Sequence, residues 1–252
     1  MLGIIASSAL PDLAQRLGLE PQSQDTPFGA ATVYLGSLEG RQIACLLRHG
    51  TPPLPPHAIN YRANIAALAQ VGCEAVIATG AVGSLWPSHR PPSLCLPAQV
   101  LDFTYGRSST FFDERMHCVD FTTPLCARLR GLLGEAAAQC GEVLADDLVY
   151  ACTQGPRFET AAEITMLRSL GADVVGMTLM PEAVLAREKG MCYASLCVVT
   201  NLAAGLEGHH PSGDEVNEMM AARREVIINI LARAVQMYAD DPDCECHKAA
   251  PR

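Results

Sequence analysis

The chain has 252 residues, 49% hydrophobic and 18% charged, which suits one α/β domain with a large core or two small ones. Its 18 basic and 27 acidic residues give a net charge of −9, which argues against a sequence-independent nucleic-acid footprint. No 18-residue uncharged apolar run and no basic signal-peptide start are found, so the expectation is a cytoplasmic chain without a membrane partner.

Leu2 to Ala6 reads as an inner strand, followed by Ser7 and Ser8, and the polar, turn-rich stretch from Pro21 to Gly29 as a surface loop. Ala31 to Leu38 and Gln42 to Leu47 form a predicted hairpin around Glu39-Gly40. The second arm ends in Arg48-His49-Gly50, before a proline-dense loop. Apolar residues at Ile59, Ala63, Ala66 and Ala67 predict a helix closed by Gly72. Glu74 to Thr79 is a buried-strand pattern running into Gly80-Ala81-Val82-Gly83-Ser84, where small side chains admit a ligand close to the backbone. A strand is expected from Ser93 to Phe103, irregular chain from Tyr105 to Thr123, and a helix from Pro124 to Cys140. Val149 to Asn201 reads as strand, charged turn, helix, strand, helix, strand, and is the stretch around which the chain is organised. Ser212 with Glu215 is a capping box that opens a long helix through Val235. The domain therefore spans residues 1–238, with a charged, proline-bearing and disordered tail over 239–252. The expected fold class is α/β, a single domain with a central mixed sheet flanked by helices.

The polar positions carry two readings each. Arg48-His49 suits an oxyanion, because both side chains donate and Arg can do so bidentately, or is a surface pair at a strand end. Thr178, three residues before Pro181, lies near a helix N-terminus that favours an anion, or is a turn-forming threonine. Thr160 and Glu163 form a capping box, which leaves Glu159 free for a ligand or for simple helix-dipole stabilisation. Asn201 ends a β-prone run as a ligand amide or a turn former. Nine of the 11 cysteines are scattered singly, mostly in apolar segments, where free thiols behave as small hydrophobes. Cys244, Cys246 and His247 in the tail offer too few ligands for a closed zinc site, so no metal is expected.

Seven ordered motifs, spread from about Ile4 to Val235, carry a resemblance. They are Arg48-His49-Gly50; Asn60-Tyr61-Arg62-Ala63-Asn64-Ile65; Gly80-Ala81-Val82-Gly83-Ser84-Leu85; Gln154-Gly155-Pro156-Arg157-Phe158-Glu159-Thr160; Gly176-Met177-Thr178 with Pro181-Glu182; Leu185-Ala186-Arg187-Glu188; and Val199-Thr200-Asn201. Together the chain resembles the trimeric purine nucleoside phosphorylase and methylthioadenosine phosphorylase family, most closely the bacterial branch that cleaves 5′-methylthioinosine.

The resemblance implies a homotrimer that cleaves purine nucleosides with inorganic phosphate as co-substrate and no cofactor. It assigns phosphate to the Ser8 hydroxyl, Arg48, His49, the Ala81 backbone and Thr178. It sets Met177 against the ribose, gives the base to Glu159 and Asn201 with Phe158 beside the substrate, and makes His49, Asn201 and Glu159 the catalytic set. Val216, Met219 and Met220 of the long helix are the expected lining of a 5′ pocket, or simply core positions of an amphipathic helix. The chain departs from the family where glycines flank the N-terminal hydroxyl, here Ala6-Ser7-Ser8-Ala9, and where Pro52-Pro53 follow the Arg-His-Gly motif. These departures carry the alternative expectation, a relative that binds nucleoside or phosphate without turnover. A carboxylate at Glu159 accepts from the N1–H of a 6-oxopurine but faces an unprotonated N1 in adenine, so the expected substrates are 5′-methylthioinosine, inosine or guanosine.

Overall fold

Long apolar runs without alternation mark strands covered on both faces, and the computed structural model, which describes residues 1–7, 10 and 12–249, places three of them side by side at its centre. The strands are β1 (Leu2–Ala6), β2 (Glu20–Thr26), β3 (Gly29–Leu38), β4 (Arg41–Leu47), β5 (Ala75–Ser84), β6 (Leu94–Phe103), β7 (Leu144–Thr153), β8 (Val174–Gly176) and β9 (Cys192–Leu202). The helices are α1 (Leu13–Arg16), α2 (Tyr61–Gln70), α3 (Ala127–Gln139), α4 (Ala161–Ser169), α5 (Leu179–Glu188) and α6 (Gly213–Met237).

One mixed sheet runs in the order β2-β3-β4-β1-β5-β8-β7-β6-β9, and β9 also pairs in parallel with β5. That second pairing closes β5, β8, β7, β6 and β9 into a ring. Successive side chains of a strand leave on opposite faces, and the core divides accordingly. Ile4, Ile77, Ala194 and Leu196 pack under α3 and α6, whereas Ile5, Val76, Ala78 and Val199 pack under α2 and α5. The fold is thus a single α/β domain, a mixed sheet with helices on both faces. Helix starts follow the sequence: Asn60 accepts from the Ala63 N–H, Ser212 accepts from the Glu215 N–H, and Thr160 and Glu163 complete a reciprocal capping box.

Two expectations are overturned. The stretch from Pro21 to Gly29, read as a loop, lies mostly in β2, an exposed edge strand paired antiparallel with β3. Its polar residues hid it because an edge strand facing water needs no apolar side. The segment from Asp240, read as a disordered tail, instead folds back on the core as far as Ala249, with Cys246 buried and Glu245–Ala249 in a short 3₁₀ helix. Arg128 holds it by donating from Nη1 to the Ala239 carbonyl, 2.7 Å away, and His247 Nδ1 lies 2.7 Å from the Gly190 carbonyl.

Candidate active site

In sheets of this kind ligands bind beyond the carboxyl ends of the strands. A cavity of about 250 Å³ lies there, and chain leaving six strands contributes to it. Ser7 follows β1, Arg48 and His49 follow β4, Gly80 to Gly83 close β5, Phe158 and Glu159 come after β7, Met177 and Thr178 after β8, and Thr200 and Asn201 end β9. Val216, one turn into α6, completes a wall. Two local devices bring the backbone close. The β5–β9 register shifts between Val82 and Gly83, a bulge beside the cavity. Gly176 has no room for a side chain, since a Cβ there would sit 2.0 Å from the Tyr150 hydroxyl.

Arg48 is buried, and its Nε and Nη2 donate to the two carboxylate oxygens of Glu182 at 2.9 and 2.8 Å, while Nη1 donates to the Thr79 carbonyl at 2.7 Å. The Tyr193 hydroxyl donates to the same carboxylate at 2.6 Å. Burial disfavours the guanidinium charge, and the Glu182 carboxylate more than offsets this, so Arg48 is held more basic than usual. A guanidinium has five N–H donors; with three spent, one remains on each Nη. The bidentate fork expected for an oxyanion is therefore committed to Glu182, and a ligand meets the two remaining donors.

His49 Nδ1 lies 2.8 Å from the Leu54 carbonyl. A carbonyl oxygen only accepts, so Nδ1 carries the proton and Nε2 is an acceptor in the neutral ring. Burial, with the Arg48 charge beside it, holds the imidazole below its ordinary pKa despite the Leu54 bond. His49 is thus set to accept a hydrogen bond, where the sequence reading had it donating.

Thr178 occupies the N-cap position of α5, yet its hydroxyl caps nothing and has no hydrogen-bond partner among the described residues. The helix start is less open than expected, because Met180 has non-helical backbone angles and its N–H goes to Cys152 Sγ at 3.3 Å. An anion there would meet the Thr178 side chain rather than a turn of free amides.

At the other end, Asn201 is only 4% exposed. Its Nδ2 donates to the Leu202 carbonyl at 2.8 Å and its Oδ1 accepts from the Thr200 hydroxyl at 2.9 Å. Those bonds fix the amide orientation and leave one N–H and one lone pair for a ligand. Glu159 is half-buried, and its Oε1 accepts from the Thr153 hydroxyl at 2.6 Å.

Arg48, His49, Ala81, Phe158, Glu159, Met177, Thr178, Asn201 and Val216 all line this one cavity. Ser8 lies outside the described residues. Met219 does not line it; Gly213, Val216 and Asn217 do, and the next turn places Met220 fully in the core. The helix points into the cavity only through its first turn, which helical periodicity alone could not locate.

Several residues escaped the sequence reading. Ser7 is 7% exposed, lines the cavity, and its buried hydroxyl has no partner among the described residues. Glu182 orients Arg48 from 134 residues away in sequence. Arg107, within the irregular stretch, donates to the carbonyls of Met177, Met180 and Gln154 at 2.8, 2.6 and 2.6 Å, tying together the loops that carry Glu159 and Thr178. Nothing in the sequence around Arg107 announces that role.

The sequence matches the Phosphorylase superfamily over residues 2–236. It is 43% identical to a probable 6-oxopurine nucleoside phosphorylase of Thermococcus kodakarensis, over 98% of this chain and 96% of that one. It is also 43% identical to a probable S-methyl-5′-thioinosine phosphorylase of Methanothermobacter thermautotrophicus, over 99% and 88%. Among solved structures, a methylthioadenosine phosphorylase from Schistosoma mansoni in complex with adenine superposes with a TM-score of 0.90 at 31% identity, covering 98% of this chain and 95% of that one.

Proposed function

Since the chain belongs to the phosphorylase superfamily, we propose that it cleaves 6-oxopurine nucleosides (5′-methylthioinosine, inosine or guanosine) with inorganic phosphate, releasing free base and the ribose or 5-methylthioribose 1-phosphate. One observation carries this reading: a single cavity holds unspent donors for an anion beside Arg48 and Thr178, and a half-spent amide and carboxylate at Asn201 and Glu159. Both sets come from strand ends, so the fold holds them without needing a ligand.

In the reaction, a phosphate oxygen forms a bond to C1′ while the C1′–N9 bond breaks, its electron pair passing to the purine. The sugar passes through an oxocarbenium-like state, and no protein nucleophile takes part. Catalysis is then positioning plus electrostatics. Arg48 contributes its two remaining N–H groups to phosphate, Thr178 and Ser7 their hydroxyls, and Ala81 its backbone. Ser8 joins them by resemblance. His49 Nε2 accepts a phosphate O–H. Met177 lies against the ribose, with Phe158 and Val216 flanking the substrate.

The free Asn201 N–H donates to O6, or its remaining lone pair accepts from a protonated N7, and Glu159 accepts from N1–H. Adenine would set its N1 lone pair against that carboxylate, a buried mismatch that costs on the order of several kcal/mol. A hydrolytic route needs a carboxylic acid to protonate the leaving base, and Asn201 cannot act as one. The reaction uses no cofactor. We also place the chain in the cytoplasm as a homotrimer, as the resemblance implies. The irregular segment that carries Tyr105 and Met116, 73% and 93% exposed, is the apolar surface for the subunit contact.

The test is base release from inosine, guanosine, 5′-methylthioinosine and 5′-methylthioadenosine, each with and without phosphate. Phosphate-dependent release from the 6-oxopurine substrates, with little from 5′-methylthioadenosine, is the expected result. Purine binding without release from any of them would replace the enzyme by a binding protein.

A further inference from the structure

Strand β9 begins at Cys192 and reaches Asn201 nine residues later, roughly 30 Å away at the rise of an extended strand. Around Cys192 a second cluster assembles. Cys126 is the N-cap of α3 and its N–H donates to the Tyr193 carbonyl at 2.8 Å, which seats it beside the start of β9. The returning C-terminal segment adds Cys244 and Cys246. All four sulfurs lie within 4.8 Å of one another, with Cys244 Sγ 3.4 Å from Cys192 Sγ and 3.9 Å from Cys126 Sγ.

We propose that Cys126, Cys192, Cys244 and Cys246 form a structural zinc site that clips the C-terminal segment onto the start of β9 and α3. Zinc held by four thiolates at about 2.3 Å requires sulfur–sulfur edges of about 3.8 Å, and the separations of Cys244 from Cys192 and Cys126 bracket that value. Four soft sulfur donors in a closed set select zinc over harder cations and leave no open position for chemistry. Pairing into disulfides fits less well. Every cysteine is free, and Cys244 is near two different sulfurs rather than one, as ligands around a shared centre are. A thiolate–zinc centre carries excess negative charge, and Arg128 Nη2 lies 3.8 Å from Cys192 Sγ to offset it.

Three of the four sulfurs are buried, so a bound ion is shielded from exchange. The distance to Asn201 makes the role structural rather than catalytic.

The experiment is elemental analysis and native mass spectrometry of the full chain, purified under reducing conditions without chelator, and of metal-stripped protein reconstituted with zinc alone. About one zinc per chain is expected, lost in the Cys244→Ser/Cys246→Ser double variant and kept in Cys140→Ser, a control at an exposed cysteine outside the cluster. Cobalt uptake with the visible absorption of a tetrahedral thiolate site supports the same conclusion from wild-type protein alone, should the double variant fail to fold. Failure of reduced wild-type chain to take up zinc would overturn the proposal. So would a chain lighter by the hydrogens lost in disulfide formation that stays metal-free after reduction, or iron found in place of zinc. Phosphorolysis by the double variant at the wild-type rate, with a lowered melting temperature, is the expected functional signature.

Discussion

The two ends of β9 hold two polar clusters that differ in how much of their bonding capacity is spent. At the carboxyl end, Asn201 keeps one N–H and one lone pair, Arg48 keeps two donors, and the Thr178 hydroxyl caps nothing. At the amino end, four cysteine sulfurs face one another within 4.8 Å. A site for a passing ligand must leave groups half-satisfied and accept their desolvation cost, whereas a site that holds the chain can spend every group internally. The carboxyl end is thus left open to a ligand, and the amino end is closed on itself.

Changes at the two ends should therefore separate activity from stability, and Arg48 is where that separation should fail. Arg48→Ala strands the Glu182 carboxylate in the core, so a loss of about 3–5 kcal/mol is expected by urea denaturation, together with phosphate-dependent activity. Unchanged stability would mean that Glu182 finds other partners. Asn201→Ala should sharpen the contrast, lowering kcat/KM for inosine by about 10²–10³-fold with little change in phosphate KM. Glu159→Gln should narrow the preference for inosine over adenosine by about tenfold or more, read as the ratio of kcat/KM values. A ratio unmoved by that change would remove Glu159 from base selection.

Two threonines at helix starts give a smaller and cleaner test. Thr160 accepts from the Glu163 N–H and caps α4, so Thr160→Val should cost about 1 kcal/mol and leave kinetics alone. Thr178 caps nothing, so Thr178→Val should stay within about 0.5 kcal/mol in stability and raise phosphate KM about tenfold. The smallest effect is on pH. The folded-state pKa of His49 is lowered, so the unfolded chain binds the proton more readily on the acid side. Its contribution to stability is therefore fully present above about pH 6.5, and is lost as pH falls toward the lowered folded value. Phosphate affinity should change only at the acid end of that window, as pH falls through the lowered folded value and Nε2 becomes protonated, and His49→Asn should abolish that acid limb.

Within the described residues, most of the polar positions that line the cavity were legible in the sequence. Each of its groups sits just beyond an apolar run, and β-strand ends are short-range features that composition and turn chemistry mark. Thr160 and Ser212 were readable as caps for the same reason, since partners lie three residues apart. What was lost was direction and commitment: that Arg48 spends its fork on Glu182, that His49 accepts rather than donates, and that α6 offers Val216 but not Met219. Each depends on which long-range neighbour arrives first at a side chain.

The sequence by itself determined the α/β alternation and the polar positions at strand ends, a carboxylate at Glu159 and an amide at Asn201 among them. It could not determine the cysteine cluster, because Cys126, Cys192 and the Cys244–Cys246 pair are separated by 66 and 52 residues and no local pattern links them. Read alone, Cys244 and Cys246 are two ligands in a polar tail. The hydrogen-bonded return of the tail over β9 and α3 places them against two more sulfurs, and only tertiary packing fixes that distance.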